Sequence, residues 1–300
     1  MKLIEPKVEI IPQGEGILGV YKQIEVAGRT CYKSEDKITN SSCVEFVKKM
    51  VNSGHTAMLE HGTVYLYHEG LSNDLAKYNH DKYSCYKMSY LGSDWNYINE
   101  EIAEFVTTNL RVIVENDWLD DLKYFCTPTI YHPRRVTARF TCDRGVSHEL
   151  VRHRVFSFAQ ESTRYCNYSK DKFGSQLSFI IPSWMNLNEG EYKRELTNNG
   201  FEITGDGYVF DSNDGFDDES LFVYHLLTCE HRYLSLLDMG WKPQQARQIL
   251  PNALKTEVVM TGFVSDWEHF FELRCAANAH PDMQVLAKDL YRQFEEKGLI

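Results

Sequence analysis

Two short runs of alternating apolar and polar residues, at positions 61–67 and 135–141, predict β-strands. The second run places three apolar side chains on one face of its strand: Val136, Ala138 and Phe140. Residues 69–133 lie between the two runs, and the predicted strands do not form strand-helix-strand units. The chain is therefore expected to be an α+β protein rather than a doubly wound parallel sheet.

The spacing of apolar residues elsewhere predicts helices. Residues 42–53 have their apolar side chains three and four positions apart, and Asp143 can cap a helix that runs toward residue 154. Gly240 is a suitable end for a helix over 218–239. The remaining predicted elements are a short helix from Pro243, a strand at 256–261, and a helix from about 265 to 279 with Ser265 and Glu268 as its capping box.

The chain has 300 residues, enough for one large domain or for one domain that carries insertions. Two stretches lack clean periodicity and are interpreted as insertions, at about 69–133 and 186–220. In the first we expect a helix around 101–119. The second is rich in Gly, Asn and Asp, so we expect a solvent-facing acidic loop or hairpin. The resulting prediction is a single domain over 1–300.

The charge and the cysteines exclude several classes of protein. A net charge of -11 argues against a surface dedicated to nucleic acid. No apolar run is long enough to span a bilayer, and residues 1–16 lack the apolar stretch of a signal peptide. The eight cysteines are dispersed, without the spacing of a zinc site, which predicts reduced thiols and no metal. We therefore expect a cytoplasmic protein that binds neither nucleic acid nor membrane.

Three consecutive residues, Arg152, His153 and Arg154, concentrate cationic side chains at the end of a predicted helix. A guanidinium group presents a planar fork of donors that matches phosphate oxygens. Residues two apart lie on different helical faces, so the two arginines are expected to meet two anionic ligands. The alternative is that they pair with nearby carboxylates such as Glu149 and Glu161.

The sequence around this triplet resembles the signature of flavin-dependent thymidylate synthases, the ThyX family: Arg-His-Arg, seven residues, then Ser162 followed by Thr-Arg-Tyr. Four other segments resemble family elements in the same order. They are Gly54-His55 with Leu59-Glu60-His61, the run from Asp143 to Ser147, the run from Ala246 to Pro251, and the run from His269 to Arg274. The resemblance covers roughly residues 25–67, 134–183 and 221–290.

The resemblance implies an α+β fold with an antiparallel sheet flanked by helices. It also implies a homotetramer whose active sites are shared between chains. The implied reaction converts dUMP to dTMP, with FAD as cofactor and with NADPH and 5,10-methylenetetrahydrofolate as co-substrates.

The resemblance further implies roles for single residues. The positions expected at FAD are His55, Ala57, Arg152, His153, Arg154, Gln160 and His269. The positions expected at dUMP are Glu149, Arg152, Gln160, Glu161, Ser162, Thr163, Arg164, Arg247 and Arg274. Arg274 is expected to be catalytic, because a planar guanidinium can stabilise negative charge on the uracil at N3 and O2. The alternative for Arg274 is an ion pair with Glu268 or Glu272 on its own helix.

Three positions depart from the family pattern. Ala57 stands where relatives often have Thr or Ser, and Phe263-Val264-Ser265 replaces an Asn-x-Arg. Glu149 stands where many relatives have Gln, and it would repel a nucleotide phosphate unless it is protonated or paired with His148 or Arg152. These departures predict weaker contacts to FAD or dUMP at those positions.

Two other functions fit parts of the sequence. A flavoprotein reductase of the same fold would act on a different substrate. An RNA-binding module would use the arginine cluster to hold phosphates, but the acidic chain offers no wider basic track for RNA. Ser162 is not expected to be a nucleophile, because the sequence places no His or carboxylate to activate it.

Overall fold

The computed structural model of the chain describes residues 1–71, 73–90, 102–168 and 176–300. These ranges are called the described residues. The helices are α1 (Gly16–Tyr32), α2 (Ser42–Asn52), α3 (Asn73–Ala76), α4 (Leu110–Glu115), α5 (Arg144–Leu150), α6 (Asp218–Asp238), α7 (Pro243–Ala246), α8 (Val264–Arg274) and α9 (Pro281–Glu296). The strands are β1 (Lys2–Ile4), β2 (Lys7–Ile11), β3 (Thr63–Glu69), β4 (Cys85–Tyr90), β5 (Ile102–Asn109), β6 (Arg135–Asp143), β7 (Ser157–Gln160), β8 (Ser178–Ile180), β9 (Gly190–Glu191), β10 (Lys193–Thr197), β11 (Gly200–Gly205), β12 (Tyr208–Asp211) and β13 (Lys255–Phe263). Turns of 3-10 helix cover Glu35–Lys37, Thr56–His61, Lys77–His80, Leu119–Tyr124 and Arg247–Ile249. The expected α+β class is confirmed.

The antiparallel sheet β2-β6-β13-β7 joins the sequence-predicted strands 135–141 and 256–261 side by side. Strand β6 pairs with β13 from Arg135 opposite Phe263 to Asp143 opposite Lys255. The apolar residues of β6 are buried in one cluster with residues of α8 and α9, where the indole nitrogen of Trp267 donates to the Val136 carbonyl over 3.1 Å. Helix α1 covers β7 and β13 from the other side. The sheet that leads to the predicted site is therefore covered on both faces.

A second antiparallel sheet, β3-β5-β4, contains most of the first proposed insertion. The expected helix at 101–119 is wrong for Ile102–Asn109, which is the central strand of this sheet. Helix α4 begins only after Asn109, whose side chain accepts a hydrogen bond from the Val112 amide over 3.2 Å. Because β5 has a partner strand on each side and is rich in β-branched residues, sheet pairing overrides the local pattern.

The second proposed insertion forms more structure than a loop or hairpin. Strands β10, β11 and β12 make an antiparallel three-stranded sheet, and β1 pairs with β8 in parallel and with β9 in antiparallel orientation. Helix α6 follows within one residue of the predicted end, and Gly240 beyond it has a φ of 92°, a left-handed conformation that favours glycine. The division into one domain with two insertions stays a prediction.

Two helix ends near the predicted site differ from the sequence prediction. Helix α5 ends at Leu150, so Arg152 and Arg154 lie in the turn that follows rather than on helical faces. Helix α8 begins at Val264 and ends at Arg274, and Asp266 accepts from the Phe263 amide over 3.1 Å. The predicted capping box of Ser265 and Glu268 is therefore wrong, because β13 continues directly into the helix.

The described residues include no helix that is long and apolar enough to cross a membrane. The eight cysteines, all within the described residues, form no disulfide; four of them are buried, Cys43, Cys142, Cys166 and Cys229, and the other four are partly accessible. Burial raises the pKa of the Cys31 thiol to about 11, so this thiol is protonated at neutral pH.

Candidate active site

The Arg-His-Arg turn is anchored by its central residue. The His153 ring packs against Phe270 of α8, with 5.0 Å between ring centroids, and against Phe156 at 6.3 Å. Arg152 and Arg154 are exposed on either side of it. The turn therefore directs two guanidinium groups to solvent while its histidine fixes it to the core.

Arg274, the predicted catalytic residue, uses all its donor nitrogens within this turn and the helix before it. Its Nε donates to His153 Nε2 over 2.9 Å, its Nη1 to Glu149 Oε2 over 2.6 Å, and its Nη2 to the Glu149 carbonyl over 3.1 Å. The carboxylate that pairs with Arg274 is therefore Glu149 rather than Glu268 or Glu272, the alternative partners expected on α8. Arg274 thus joins the two motif segments at one point.

His153 can accept from Arg274 only when its Nε2 is unprotonated. Burial, together with the neighbouring charges of Arg274 and His269, lowers the pKa of His153 to about 4. The imidazole is therefore neutral at physiological pH and serves as an acceptor.

Glu149 is neutralised by a residue that sequence reasoning did not consider. Its carboxylate pairs with Arg274, whereas the partners considered from the sequence were His148 and Arg152. An ion pair removes most of the repulsion that a free carboxylate would exert on a nucleotide phosphate. Glu149, which stands where many relatives have Gln, thus has its negative charge compensated by Arg274.

The loop over residues 160–164, the 160–164 loop, follows β7. Gln160 donates from Nε2 to the Ser147 hydroxyl over 2.9 Å, and the Ser162 hydroxyl accepts from the Arg164 amide over 3.3 Å. The Thr163 hydroxyl accepts from Arg247 Nη1 over 3.1 Å. The loop is therefore in contact with the Ala246–Pro251 segment.

Glu161 differs from its neighbours because its side chain is only 1% exposed. Its carboxylate accepts from Lys255 Nζ over 2.9 Å and from the Tyr168 hydroxyl over 3.0 Å. The carboxylate therefore faces the protein interior, where it holds the loop. The expected place of Glu161 in the dUMP loop stays a prediction.

Sequence reasoning missed Arg144, which follows the predicted cap residue. Its Nη1 donates to the Thr256 hydroxyl over 3.2 Å and to the Glu161 carbonyl over 3.4 Å. With Arg247, His148 and Thr163 it lines an open cleft of about 320 Å³. Neither Arg144 nor Arg247 forms an ion pair within the described part of the chain. Two half-buried guanidinium groups without a carboxylate partner make the cleft suited to an anion. The sequence signals for Arg144 were its charge between a strand and a helix and its place in the family-like run from Asp143 to Ser147.

His55, Ala57 and His269 lie exposed at the surface. The 3-10 turn Thr56–His61 packs against β7 and β13, and His61 Nδ1 lies 2.8 Å from the Thr261 hydroxyl. His269 Nδ1 lies 3.3 Å from Glu272. In the described residues, no hydrogen bond or ion pair joins His55 or Ala57 to the Arg274 cluster, whereas His269 lies near enough to His153 for its charge to lower the pKa of His153.

Phe263 belongs to the segment that departs from the family pattern. In the sheet, this residue pairs with Arg135 of β6. The Arg135 guanidinium lies 5.7 Å from the centroid of the Phe263 ring. A cation thus lies beside the position where relatives have Asn-x-Arg.

Within the described ranges, no group of three or more His, Cys, Asp or Glu side chains is arranged to hold a metal ion.

Comparison with known families gives one match to a family model. The family described as thymidylate synthase complementing protein matches residues 129–297, more than half of the chain. The matched region includes the Arg-His-Arg turn, the 160–164 loop, Arg247 and Arg274.

Two curated relatives carry the name flavin-dependent thymidylate synthase. The protein of Geobacter sulfurreducens is 30% identical over 149 residues, which are 50% of this chain and 51% of that protein. The protein of Corynebacterium aurimucosum is 24% identical over 283 residues, which are 92% of this chain and 76% of that protein. The chain therefore spans about half of the first relative and three quarters of the second.

Solved structures resemble the chain at low identity. The UMP/dUMP methylase PolB from Streptomyces cacaoi, bound with 5-Br dUMP, is 16% identical, with 99% of this chain and 93% of that chain covered at a TM-score of 0.42. The flavin-dependent thymidylate synthase ThyX from Helicobacter pylori, complexed with FAD and dUMP, is 16% identical, with 96% and 93% covered at a TM-score of 0.36.

Proposed function

Because the chain belongs to the thymidylate synthase complementing protein family, we propose that it is a flavin-dependent thymidylate synthase that converts dUMP to dTMP. In this proposal FAD is the cofactor, NADPH the reductant and 5,10-methylenetetrahydrofolate the carbon donor. The observation that carries it is the contact of Arg274 with His153 and Glu149, which joins motif segments 121 and 125 residues apart in sequence.

The Arg-His-Arg turn fits the phosphates of FAD. Arg152 and Arg154 are exposed, and neither has a carboxylate partner in the described ranges, so both guanidinium groups have donors left for an anionic ligand. His153 keeps the turn in place, and His55 and His269 are the further positions proposed to line the flavin. When bound and reduced by NADPH, the flavin would supply the hydride that completes the methyl group.

The phosphate of dUMP is proposed to bind between the 160–164 loop and the arginine-lined cleft. Arg144 and Arg247 lie on the cleft side, and Ser162 and Arg164 lie on the loop. Bidentate, charge-assisted bonds from these guanidinium groups would fix the nucleotide before reaction.

Arg274 is proposed to stabilise the negative charge that develops on the uracil at N3 and O2. For this the guanidinium exchanges its bonds to Glu149 for bonds to the base. The bond to neutral His153 can persist during this exchange, because it uses Nε rather than the terminal nitrogens. His153 thereby orients the guanidinium without competing for it.

The assay that tests this function uses the purified protein with FAD, NADPH, 5,10-methylenetetrahydrofolate and dUMP, and measures dTMP by chromatography. We expect dTMP to form only when all four are present. Oxidation of NADPH by the flavin-loaded protein without any dTMP would contradict the proposal and would indicate a reductase. Titration of flavin fluorescence should also give tighter binding of FAD than of FMN, which lacks the adenylate half.

We also propose that the chain is a homotetramer whose active sites combine residues from several chains. The exposed, unconnected positions of His55 and Ala57 support this, since another chain can bring them to the Arg274 cluster. Arg164→Ala and Arg274→Ala variants, each inactive, can be unfolded and refolded together. If one site takes these arginines from different chains, about a quarter of the sites should regain activity under random mixing. Verified subunit exchange without regained dTMP formation would contradict shared sites.

A further inference from the structure

A row of four alternating charges runs beneath the 160–164 loop. Lys33 Nζ donates to Glu257 over 2.7 Å, Lys255 Nζ donates to the same Glu257 oxygen over 2.5 Å, and Lys255 also donates to Glu161 over 2.9 Å. Side-chain exposure falls along the row from 18% at Lys33 to 13% at Glu257 and Lys255 and 1% at Glu161. These residues, Lys33, Glu257, Lys255 and Glu161, are named the ion-pair row. It begins at the end of α1 and ends in the loop.

Among the described residues, Lys255 is the cation of the ion pair that Glu161 forms. A carboxylate that is removed from water is tolerated only when it is paired and hydrogen-bonded. Lys255 supplies the charge, and the Tyr168 hydroxyl supplies a further hydrogen bond. If Lys255 were removed, Glu161 would have to move toward water or take up a proton, and in the first case the loop would move with it.

Main-chain bonds couple the position of Glu161 to the shape of the loop. The Glu161 amide donates to the Glu257 carbonyl over 2.8 Å, and the next amide, of Ser162, donates to the Cys31 carbonyl over 3.0 Å. The Glu161 carbonyl accepts from Arg144, which lines the proposed phosphate cleft. A displacement of Glu161 would therefore disturb both Ser162 and Arg144.

We propose that the ion-pair row positions the 160–164 loop for nucleotide binding, with Lys255 as its central positioning residue. The row touches neither cofactor nor substrate in this proposal. It acts through Glu161, whose buried carboxylate pairs with Lys255 when the loop lies against β13. The identity of the ligand as dUMP rests on the proposed function, whereas the effect on loop shape does not.

The chain offers a matched control for a merely structural ion pair. Lys77 Nζ lies 2.8 Å from Asp121, and the Tyr78 hydroxyl donates to the same carboxylate over 2.8 Å. The Asp121 side chain is 6% exposed. This group, named the remote cluster, has the same three kinds of side chain as Lys255, Glu161 and Tyr168, but it lies between elements that carry no predicted site residue.

The experiment compares Lys255→Met and Lys77→Met in the FAD-loaded protein. Hydrogen exchange resolved by peptide mass spectrometry reports the amides of residues 158–166, equilibrium dialysis reports the Kd for dUMP, and thermal unfolding reports Tm. We expect both variants to lower Tm, but only Lys255→Met to speed exchange in the loop and to raise the Kd for dUMP by about tenfold. FAD content should be unchanged in both.

Several results would overturn the proposal. One is a rate of hydrogen exchange in the loop of Lys255→Met that equals the rate in the unaltered protein. Another is an increase in loop exchange in Lys77→Met as large as the increase in Lys255→Met. Faster loop exchange with an unchanged Kd would also overturn it, because the row would then hold a loop that binding does not need. If the unaltered protein fails to bind dUMP, the proposed function fails, while the exchange measurement still tests the row.

A second variant covers the case in which Lys255→Met does not fold. Lys33→Met removes the most exposed cation of the row and leaves Lys255 with both carboxylates. We expect a smaller increase in loop exchange, roughly twofold to threefold, because the change acts through one more ion pair. Exchange in this variant equal to that of Lys77→Met would contradict the proposal.

Discussion

The two lysine-carboxylate-tyrosine groups of this chain have similar chemistry and different surroundings. In the remote cluster, Lys77 is 32% exposed and also lies 4.7 Å from the centroid of the Trp118 ring. In the ion-pair row, Lys255 is 13% exposed and bridges Glu161 and Glu257. In both groups, burial and the adjacent carboxylate raise the pKa of the tyrosine, Tyr78 or Tyr168.

The difference teaches that burial of an ion pair does not by itself indicate function. Both groups satisfy a carboxylate that packing has removed from water, which every fold must do. Only Glu161 belongs to a loop whose next residues, Ser162 to Arg164, are proposed to bind a ligand. Position in the chain, rather than the strength of the pair, separates a positioning role from a structural one.

The largest expected effect is on the free energy of unfolding. Lys255→Met and Lys77→Met should each cost about 3 kcal/mol, because each leaves a buried carboxylate without its cation. Replacing both partners should recover most of this cost, with Lys77→Met plus Asp121→Leu recovering more than Lys255→Met plus Glu161→Leu. Urea denaturation measures both pairs of variants. If both double variants recovered the same free energy of unfolding, the two groups would not differ, because Glu257 would then gain no stability from Lys255.

A third ion pair, Arg274 with Glu149, sharpens the comparison because it is proposed to open during catalysis. Arg274→Lys should lower kcat for dTMP formation about 100-fold, since an ammonium cannot present two parallel donors to the uracil edge. Tm and FAD content should change little. Arg292→Lys, in an exposed ion pair with Asp289 on α9, is the control and should leave kcat unchanged. Normal turnover in Arg274→Lys would remove Arg274 from the catalytic role.

Acid should affect the ion-pair row through Glu257. Burial opposes its ionisation, but Lys255 and Lys33 outweigh burial and lower the pKa of Glu257 from 4.5 to about 2. Since the folded pKa is below the unfolded one, ionised Glu257 stabilises the fold above pH 4.5, and this contribution is lost as the pH falls toward 2. We expect Glu257→Gln to be less stable at pH 7 by about 2 kcal/mol. The difference in free energy of unfolding between Glu257→Gln and the unaltered protein, measured by denaturation, should narrow below pH 4.5. A difference that stays constant with pH would contradict this role of Glu257.

The smallest effect concerns Arg144, which touches the row only through the Glu161 carbonyl. Arg144→Gln should raise the KM for dUMP about tenfold with kcat nearly unchanged, because one charge-assisted phosphate contact is lost. Arg139→Gln is the control: Arg139 lies on β6, the strand that leads to Arg144, but it is paired with Glu9 over 2.5 Å, and its loss should leave KM unchanged. Equal KM values in the two variants would exclude Arg144 from the phosphate site.

The sequence by itself determined the strands β6 and β13, the helix at α6 and the motif that led to Arg152, His153, Arg154 and Arg274. Alternation and helical spacing report which residues a local element buries, so they survive in the sequence as periodic patterns. Motif spacing likewise survives because it depends on positions within a short segment. The α+β class followed from these local patterns alone.

Only the tertiary structure decided which groups meet across the chain. It made Ile102–Asn109 a central strand, moved the start of α8 to Val264, paired Glu149 with Arg274 and buried Glu161 on Lys255. Each of these outcomes depends on a partner that lies far away in sequence or on a neighbouring strand. No periodicity within a segment records such a partner, because the energy of a buried charge or a strand edge is set by what packing brings next to it.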